Sequence, residues 1–91
     1  MRHILTTKRY RKSLKRLRFD TRLLDDLART IDLLAQDKSL PPKLNDHALV
    51  GNLKQFRELH LRPDILLVYQ KEPDEELITL YDIGLHANLF L

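Results

Sequence analysis

The sequence contains no cysteine, no tryptophan and only two glycines among its 91 residues. The absence of cysteine excludes a disulfide framework and a thiolate metal site. Because Gly51 and Gly84 are far apart, the chain has no glycine-rich loop that could cradle a phosphate. The longest apolar run, at 65–69, is far below the ~20 residues that a membrane helix requires. These absences exclude a disulfide-stapled domain, a P-loop site and a membrane-spanning helix within this sequence.

Acidic residues are absent from the first 18 positions, which hold eight basic residues. The other 73 residues carry 8 basic and 13 acidic side chains, so the net charge of +3 combines a strongly basic segment with a net-acidic remainder. Unrelieved like charge repels itself, which favours a phosphate-rich partner over a surface that only aids solubility. Tyr10 and Phe19, the aromatics of this segment, are predicted to fit the core or a helix end. Base-specific readout is therefore not expected.

A chain of this length is expected to form one domain, 1–91, around a single modest core. A short β-prone stretch at 3–5 precedes apolar residues at helical spacing, which predict a basic helix from position 6 or 7 to 19. Asp20 is predicted to cap a second helix that runs to Lys38. The short connection between the two predicts an antiparallel two-helix hairpin. The N-terminal basic residues precede no apolar segment, so we expect no secretory signal and a cytoplasmic location.

The second half of the chain predicts three strands, at 54–61, 65–69 and 77–83. Alternation in the first places Arg57 on one face and Glu58 and His60 on the other. The second is apolar throughout, as in a central strand that is covered on both faces. Short connections favour an antiparallel β-sheet meander. The helix hairpin packed on this sheet gives a two-layer α+β domain, with the short N-terminal strand at an edge.

Three histidines lie beside turns or strand ends: His47, His60 and His86. The turn after His60 should bring Asp64 towards it, and His86 should reach the same sheet edge. Imidazole can take up and return a proton near neutral pH, so the cluster favours acid–base chemistry. Packing histidines and a divalent metal site remain open as alternatives. The spacing of these residues matches no compact metal-ligand motif such as His-Glu-x-x-His.

Three sequence blocks carry a family resemblance: DHALVG at 46–51, FRELHLRPDILLVY at 56–69 and GLHANLF at 84–90. Together they resemble the YafQ-type branch of the RelE/ParE toxin superfamily, and the resemblance extends through the whole chain. It implies a RelE-like α+β domain and the toxin of a bacterial type II toxin–antitoxin system. It further implies a ribosome-dependent endoribonuclease that cuts mRNA, inhibits translation and is silenced by a cognate antitoxin.

The resemblance also implies which residues form the active site. The family's catalytic positions carry over onto His47, His60, Asp64 and His86, which agrees with the edge cluster inferred from the turns. Such an enzyme needs a base for the ribose 2′-OH, an acid for the departing 5′-oxygen and cations at the phosphate, but no metal or other cofactor. We expect His60 and Asp64 to act as a proton-transferring or orienting pair, with His86 as the opposite partner.

Substrate and ribosome contacts are assigned as a hypothesis that builds on this active site. His47, Arg57 and Arg62 are expected at the phosphate, and the Phe90 ring against a base. The family often has an arginine where this sequence has Asp82, so a repulsive carboxylate is expected to replace a cation. Docking on rRNA phosphates is assigned to the basic residues Lys8, Arg9, Arg11, Lys12, Lys15 and Arg16.

The expected partners are a cognate antitoxin, the ribosome and mRNA, with no membrane. We expect a monomer alone and an oligomer with antitoxin. Two other functions remain open. A ParE-like inhibitor of DNA gyrase would make the histidines incidental, and a non-catalytic basic rRNA-binding module would explain the charge but not the histidine edge.

Overall fold

Two helices and a five-stranded mixed sheet form the fold in a computed structural model, which describes residues 1–53, 55–72, 74, 76–85 and 89. The predicted α+β class is confirmed. Single 3₁₀ turns at Pro42–Leu44 and Gly51–Leu53 flank one short strand. The helices and strands are, in chain order, β1 (His3–Thr6), α1 (Lys8–Lys15), α2 (Thr21–Ala35), β2 (His47–Ala48), β3 (Phe56–Arg62), β4 (Ile65–Glu72) and β5 (Leu77–Leu85).

The sheet has the strand order β1-β5-β4-β3-β2. Strands β3, β4 and β5 form the predicted antiparallel meander. The N-terminal strand β1 lies at one edge, parallel to β5, and β2 lies at the other edge, antiparallel to β3. Sequence reasoning missed β2 because two residues are too few to show a periodicity.

The helices are shorter than predicted at their C-terminal ends. Helix α1 ends at Lys15, after which the chain continues in tight turns up to Asp20. The Asp20 carboxylate accepts a hydrogen bond from the Leu23 backbone N–H at 3.1 Å and caps α2, as predicted. Helix α2 ends at Ala35, because the chain leaves the helical conformation at Asp37, where φ is 55°.

The main core lies between the two helices and one face of the sheet. It contains Leu23 and Leu27 from α2 and alternate residues of each long strand, such as Leu59, Leu67 and Leu80. Strand β4 is buried on both faces, as its apolar composition predicts. On the face that the helices do not cover, a smaller cluster is formed by Leu66, Val68 and Leu89, with Phe56 and Tyr81 packed against it.

The two aromatic residues of the basic segment lie in opposite environments. Tyr10 is buried in the main core, and burial raises its pKa to about 12. Phe19 lies in the connection between the helices with 82% of its surface exposed, so it contributes nothing to the core. No helix in the part of the chain that the structure describes is long and apolar enough to cross a membrane.

Candidate active site

The His47 ring is held at both of its nitrogens. Asn45 adopts a left-handed conformation (φ 48°), which a non-glycine residue tolerates best when it is asparagine or aspartate. Its carbonyl oxygen lies 2.7 Å from His47 Nδ1. On the other side, Nε2 lies 3.3 Å from Oε1 of Glu58. Both neighbours are hydrogen-bond acceptors, so a ring nitrogen that carries a proton can donate to the one beside it. With 41% of its side chain exposed, His47 is also accessible to a ligand from solvent.

Glu58 and His60 lie on the same face of β3, opposite the helices. The Glu58 side chain is only 9% exposed, and a carboxylate this buried requires a charged or hydrogen-bonding partner. His60 is half-buried, and its ring centroid lies 6.3 Å from that of His47. Sequence reasoning identified both histidines but missed Glu58. Its position could have indicated it, because Glu58 lies two residues before His60 and alternation places the two side chains on the same face.

Asp64 lies exposed in the turn between β3 and β4, at the sheet edge where sequence reasoning expected it. His60 pairs with Leu66 across that hairpin, so both predicted residues belong to its closed end. Strand β5 also finishes here, because Leu85 pairs with Ile65 at the start of β4. The other two predicted site residues, His86 and Phe90, lie outside the described residues.

Arg57, which was predicted to contact the substrate phosphate, forms an ion pair on the helix side of the sheet. Its guanidinium lies 2.9 Å from Asp46, whose carboxylate also accepts a 2.5 Å hydrogen bond from the Tyr69 hydroxyl. The hydrogen bond to Asp46 raises the pKa of Arg57, and burial raises that of Tyr69. Asp46 occupies the Nε and Nη2 side of this guanidinium, so a phosphate would have to displace it to bind on that side.

Arg62 is likewise engaged by a carboxylate. Two of its nitrogens lie 2.5 and 2.9 Å from the oxygens of Asp20, a bidentate pair. The β-ladder shifts register between His60 and Arg62, and such an irregularity re-aims a side chain relative to strict alternation. Arg62 therefore reaches the N-terminus of α2.

Asp82 does not act as the repulsive charge that the sequence suggested. Its side chain is only 4% exposed, and Arg9 Nε lies 2.6 Å from it. The Ser13 hydroxyl donates a further hydrogen bond at 2.6 Å, and the Ile83 backbone N–H donates another at 2.8 Å. The hydrogen bond to Asp82 raises the pKa of Arg9. The Asp82 carboxylate is therefore paired with a cation of α1, which the expectation of an uncompensated repulsive charge did not include.

The six predicted docking residues differ in their availability. Arg9 is engaged by Asp82, and the Arg11 guanidinium donates to the carbonyl and hydroxyl oxygens of Thr6 at 2.9 and 2.8 Å. Among the residues that the structure describes, Lys8, Lys12, Lys15 and Arg16 are exposed and their side chains make no such contact. Within the described ranges, no group of three His, Asp or Glu side chains is arranged to hold a metal ion.

Comparison with known proteins identifies the family. A family model described as "Bacterial toxin of type II toxin-antitoxin system, YafQ" matches residues 2–91. The mRNA interferase toxin YafQ of Escherichia coli K12 is 37% identical over 51 residues, which is 56% of this chain and 53% of that protein. The alignments span about half the length of the curated relatives that the chain matches.

Two solved structures agree over almost the whole chain. The crystal structure of a metal-bound toxin from Helicobacter pylori is 43% identical with a TM-score of 0.90, and the match covers 99% of this chain and 100% of that one. The E. coli DinJ–YafQ complex is 27% identical with a TM-score of 0.87, and the match covers 100% of both chains. Since the family model also matches nearly the full sequence, this chain belongs to the YafQ family of bacterial type II toxin–antitoxin toxins.

Proposed function

We propose that this protein is a metal-independent endoribonuclease that cuts mRNA on the ribosome and so inhibits translation. One observation carries the proposal: His47 and His60 lie on the sheet face opposite the helices, with their ring centroids 6.3 Å apart. Two imidazoles at this separation can serve one phosphodiester, one as a cation and the other in proton transfer. The E. coli relative that is named an mRNA interferase supports RNA as the substrate.

The reaction uses the 2′-hydroxyl of the substrate as the nucleophile. A base removes the 2′-OH proton, the 2′-oxygen attacks phosphorus, and the bond from phosphorus to the 5′-oxygen breaks. An acid protonates that 5′-oxygen, so the products are a 2′,3′-cyclic phosphate and a 5′-hydroxyl. The nucleophile belongs to the RNA, so neither water nor a metal ion is needed in this step.

The roles of the individual side chains are part of this proposal. His47, whose ring is held between Asn45 and Glu58, binds the phosphate. His60 transfers the proton, with Asp64 orienting it from the adjacent turn, and His86 serves as the opposite acid or base. Phe90 stacks on a base of the substrate.

The test is to map mRNA 5′ ends after incubation with and without ribosomes. The His60→Ala variant should cut about 10²- to 10⁴-fold more slowly than the wild type, which is the usual contribution of a general acid or base. His3, exposed in β1, provides a matched control, and His3→Ala should cut normally. Wild-type rates in His60→Ala would overturn the assignment. Arrest of replication without RNA cuts would point instead to a gyrase inhibitor.

Metal independence has its own test, since an H. pylori relative was crystallised with metal bound. Dialysis of the toxin alone against a chelator, before it is mixed with ribosomes in Mg²⁺ buffer, should leave the cleavage rate unchanged, and added Zn²⁺, Ni²⁺ or Cu²⁺ should not raise it. A lower rate after this dialysis, restored by one of these ions, would show that a metal takes part.

We also propose that a cognate antitoxin silences the protein, because the E. coli relative was solved as a complex of this kind. The toxin alone should sediment as a monomer, and addition of the antitoxin encoded beside it should give a larger, inactive complex. A dimer in the absence of antitoxin would contradict the expected oligomeric state.

A further inference from the structure

An exposed aromatic ring in the connection between the helices has no part in the fold or in the site described above. Phe19 is 82% exposed, and the Arg18 guanidinium carbon lies 4.5 Å from its ring centroid. We infer that Phe19 is a platform on which one unpaired base of the substrate RNA stacks, next to the nucleotide that is cut. This inference rests on the proposed function, because it assumes that RNA reaches the histidine edge.

The backbone that carries Phe19 is fixed on both sides. Before it, the Leu17 N–H donates to the Leu14 carbonyl at 2.9 Å, and the Leu17 side chain packs against the main core. After it, the Asp20 N–H donates to the Leu17 carbonyl at 3.0 Å, and the Asp20 side chain caps α2. A ring held on such a turn loses little conformational freedom when a ligand binds. Phe19 is therefore preorganised for contact with a partner.

The Asp20–Arg62 ion pair places this turn beside the candidate active site. Asp20 directly follows Phe19, and Arg62 is separated by only one residue from Asp64. One residue also separates Arg62 from His60, which precedes it in the chain. RNA that passes from the His60 face around the closed end of the hairpin, at Asp64, would reach the turn that carries Phe19 on the helix side.

The charges around Phe19 favour RNA as its partner. The side chains of Lys15, Arg16, Arg18 and Arg22 are all exposed, and the acidic residue between them, Asp20, is already paired with Arg62. Cations interleaved with one exposed aromatic ring are typical of proteins that bind single-stranded nucleic acid, where bases stack on rings and cations follow the phosphates. An antitoxin anchored by apolar contacts would require a patch of neighbouring apolar side chains, whereas the residues that flank Phe19 along the chain are arginine and aspartate.

The first test uses the absence of tryptophan from the sequence. Phe19→Trp introduces a single fluorophore at the platform, and an uncleavable oligoribonucleotide with 2′-O-methyl ribose serves as the probe. Stacking should change the tryptophan emission in a saturable way. An abasic oligonucleotide of the same length should bind without that change. The control is Leu5→Trp, at an exposed position on β1, the sheet edge opposite β2, where no change is expected.

The second test measures cleavage. Phe19→Ala should raise the KM for ribosome-bound mRNA about 5- to 150-fold, as expected for the loss of one base–aromatic stack, and leave kcat close to the wild-type value. Phe19→Tyr should restore the KM because it restores the ring, and Phe19→Leu should not. Since the side chain is exposed, all three variants should keep the wild-type Tm.

These results separate failure of the inference from failure of the proposed function. If the wild type cuts RNA and Phe19→Ala has the same KM, the platform is refuted while the nuclease stands. If the wild type cuts no RNA but the oligonucleotide still changes the emission of the Phe19→Trp variant, base stacking stands without the nuclease. An emission change with antitoxin or with mRNA-free ribosomes, but not with the oligonucleotide, would refute the platform and identify the other partner.

Discussion

At the residue scale, Glu58 provides the buried carboxylate that lies beside Nε2 of His47. Removing it leaves Nε2 of His47 without its acceptor, so that only the Asn45 carbonyl oxygen at Nδ1 still orients the ring. We expect Glu58→Ala to cut RNA about 10- to 100-fold more slowly, in line with the cost of a small misplacement of a reacting group. Glu58→Gln, which keeps an oxygen acceptor, should be intermediate.

Single-turnover cleavage rates measured beside thermal unfolding would check the Glu58 prediction. Asp25→Asn is a suitable control, because Asp25 is an exposed carboxylate on α2. Normal cleavage by both Glu58 variants would mean that His47 needs no carboxylate partner.

The contacts of Asp82 should contribute to the free energy of unfolding. Arg9 and Asp82 form an ion pair in which the carboxylate is buried, although Arg9 remains 44% exposed and is partly solvated. Introducing the arginine that the family often carries, by Asp82→Arg, would place two cations together and remove the acceptor for Ser13. We expect a loss of about 2 kcal/mol in the free energy of unfolding, less than for a fully buried pair.

Urea unfolding of a charge-swap cycle tests the Asp82 prediction. The double variant Arg9→Glu with Asp82→Arg should be more stable than the sum of the two single effects, by about 1 kcal/mol. Strictly additive losses would show that the two residues are energetically independent.

At the element scale, the start of α2 depends on a single carboxylate with two tasks. Asp20 caps the helix and pairs with Arg62, and the hydrogen bond from Arg62 holds the pKa of Asp20 below its ordinary value of 3.8. A lowered pKa in the folded state means that ionised Asp20 stabilises the fold above about pH 4 and that this contribution is lost as the pH falls further. Asp20→Asn keeps a capping oxygen but has no charge to lose.

The stability difference between the wild type and Asp20→Asn should therefore be constant from about pH 5 to 7 and shrink below about pH 4. Thermal unfolding at a series of pH values measures it directly. Asp25→Asn, in the same helix, should show no such convergence. A difference that stays the same down to pH 2 would mean that the charge of Asp20 contributes nothing.

The elements themselves were largely predictable, because local patterns specify them. The uniformly apolar stretch at 65–69 predicted a strand buried on both faces, and Asp20 predicted the start of α2; both are confirmed. The end of α1 was wrong by several residues. Helical spacing continues through Leu17 into the tight turns, so the pattern does not mark where the helix stops.

The site was predictable only in part, since its partners come from distant elements. Turn positions sufficed to place His60 and Asp64 at one edge. No local pattern reveals that Arg9 contacts Asp82, 73 residues away, or that Arg62 is taken up by Asp20, 42 residues away. Alternation placed Arg57 correctly on the face opposite His60. Only the fold shows that Arg57 pairs there with Asp46, which also accepts a hydrogen bond from Tyr69.

At the scale of the whole molecule, the basic side chains fall into two groups. Arg9, Arg57 and Arg62 are each paired with a carboxylate and hold elements together. The other exposed cations of the basic segment lie along α1 and in the turn that follows it. In the proposed nuclease, ribosome docking and RNA chemistry would therefore depend on different residues and could be removed separately.

The last prediction tests that separation. Changing Lys8, Lys12, Lys15 and Arg16 together to glutamine should weaken binding to ribosomes and make it less sensitive to salt, because fewer counterions are released per complex. His60→Ala should bind ribosomes with the wild-type affinity and salt dependence while losing cleavage. A variant with Lys38→Gln and Lys43→Gln, two exposed cations outside the basic segment, is the control for net charge. Co-sedimentation with ribosomes at several salt concentrations gives the slope of log K against log salt for each variant. An unchanged slope in the fourfold variant would show that α1 does not contact rRNA, and loss of binding in His60→Ala would show that docking and chemistry share one surface.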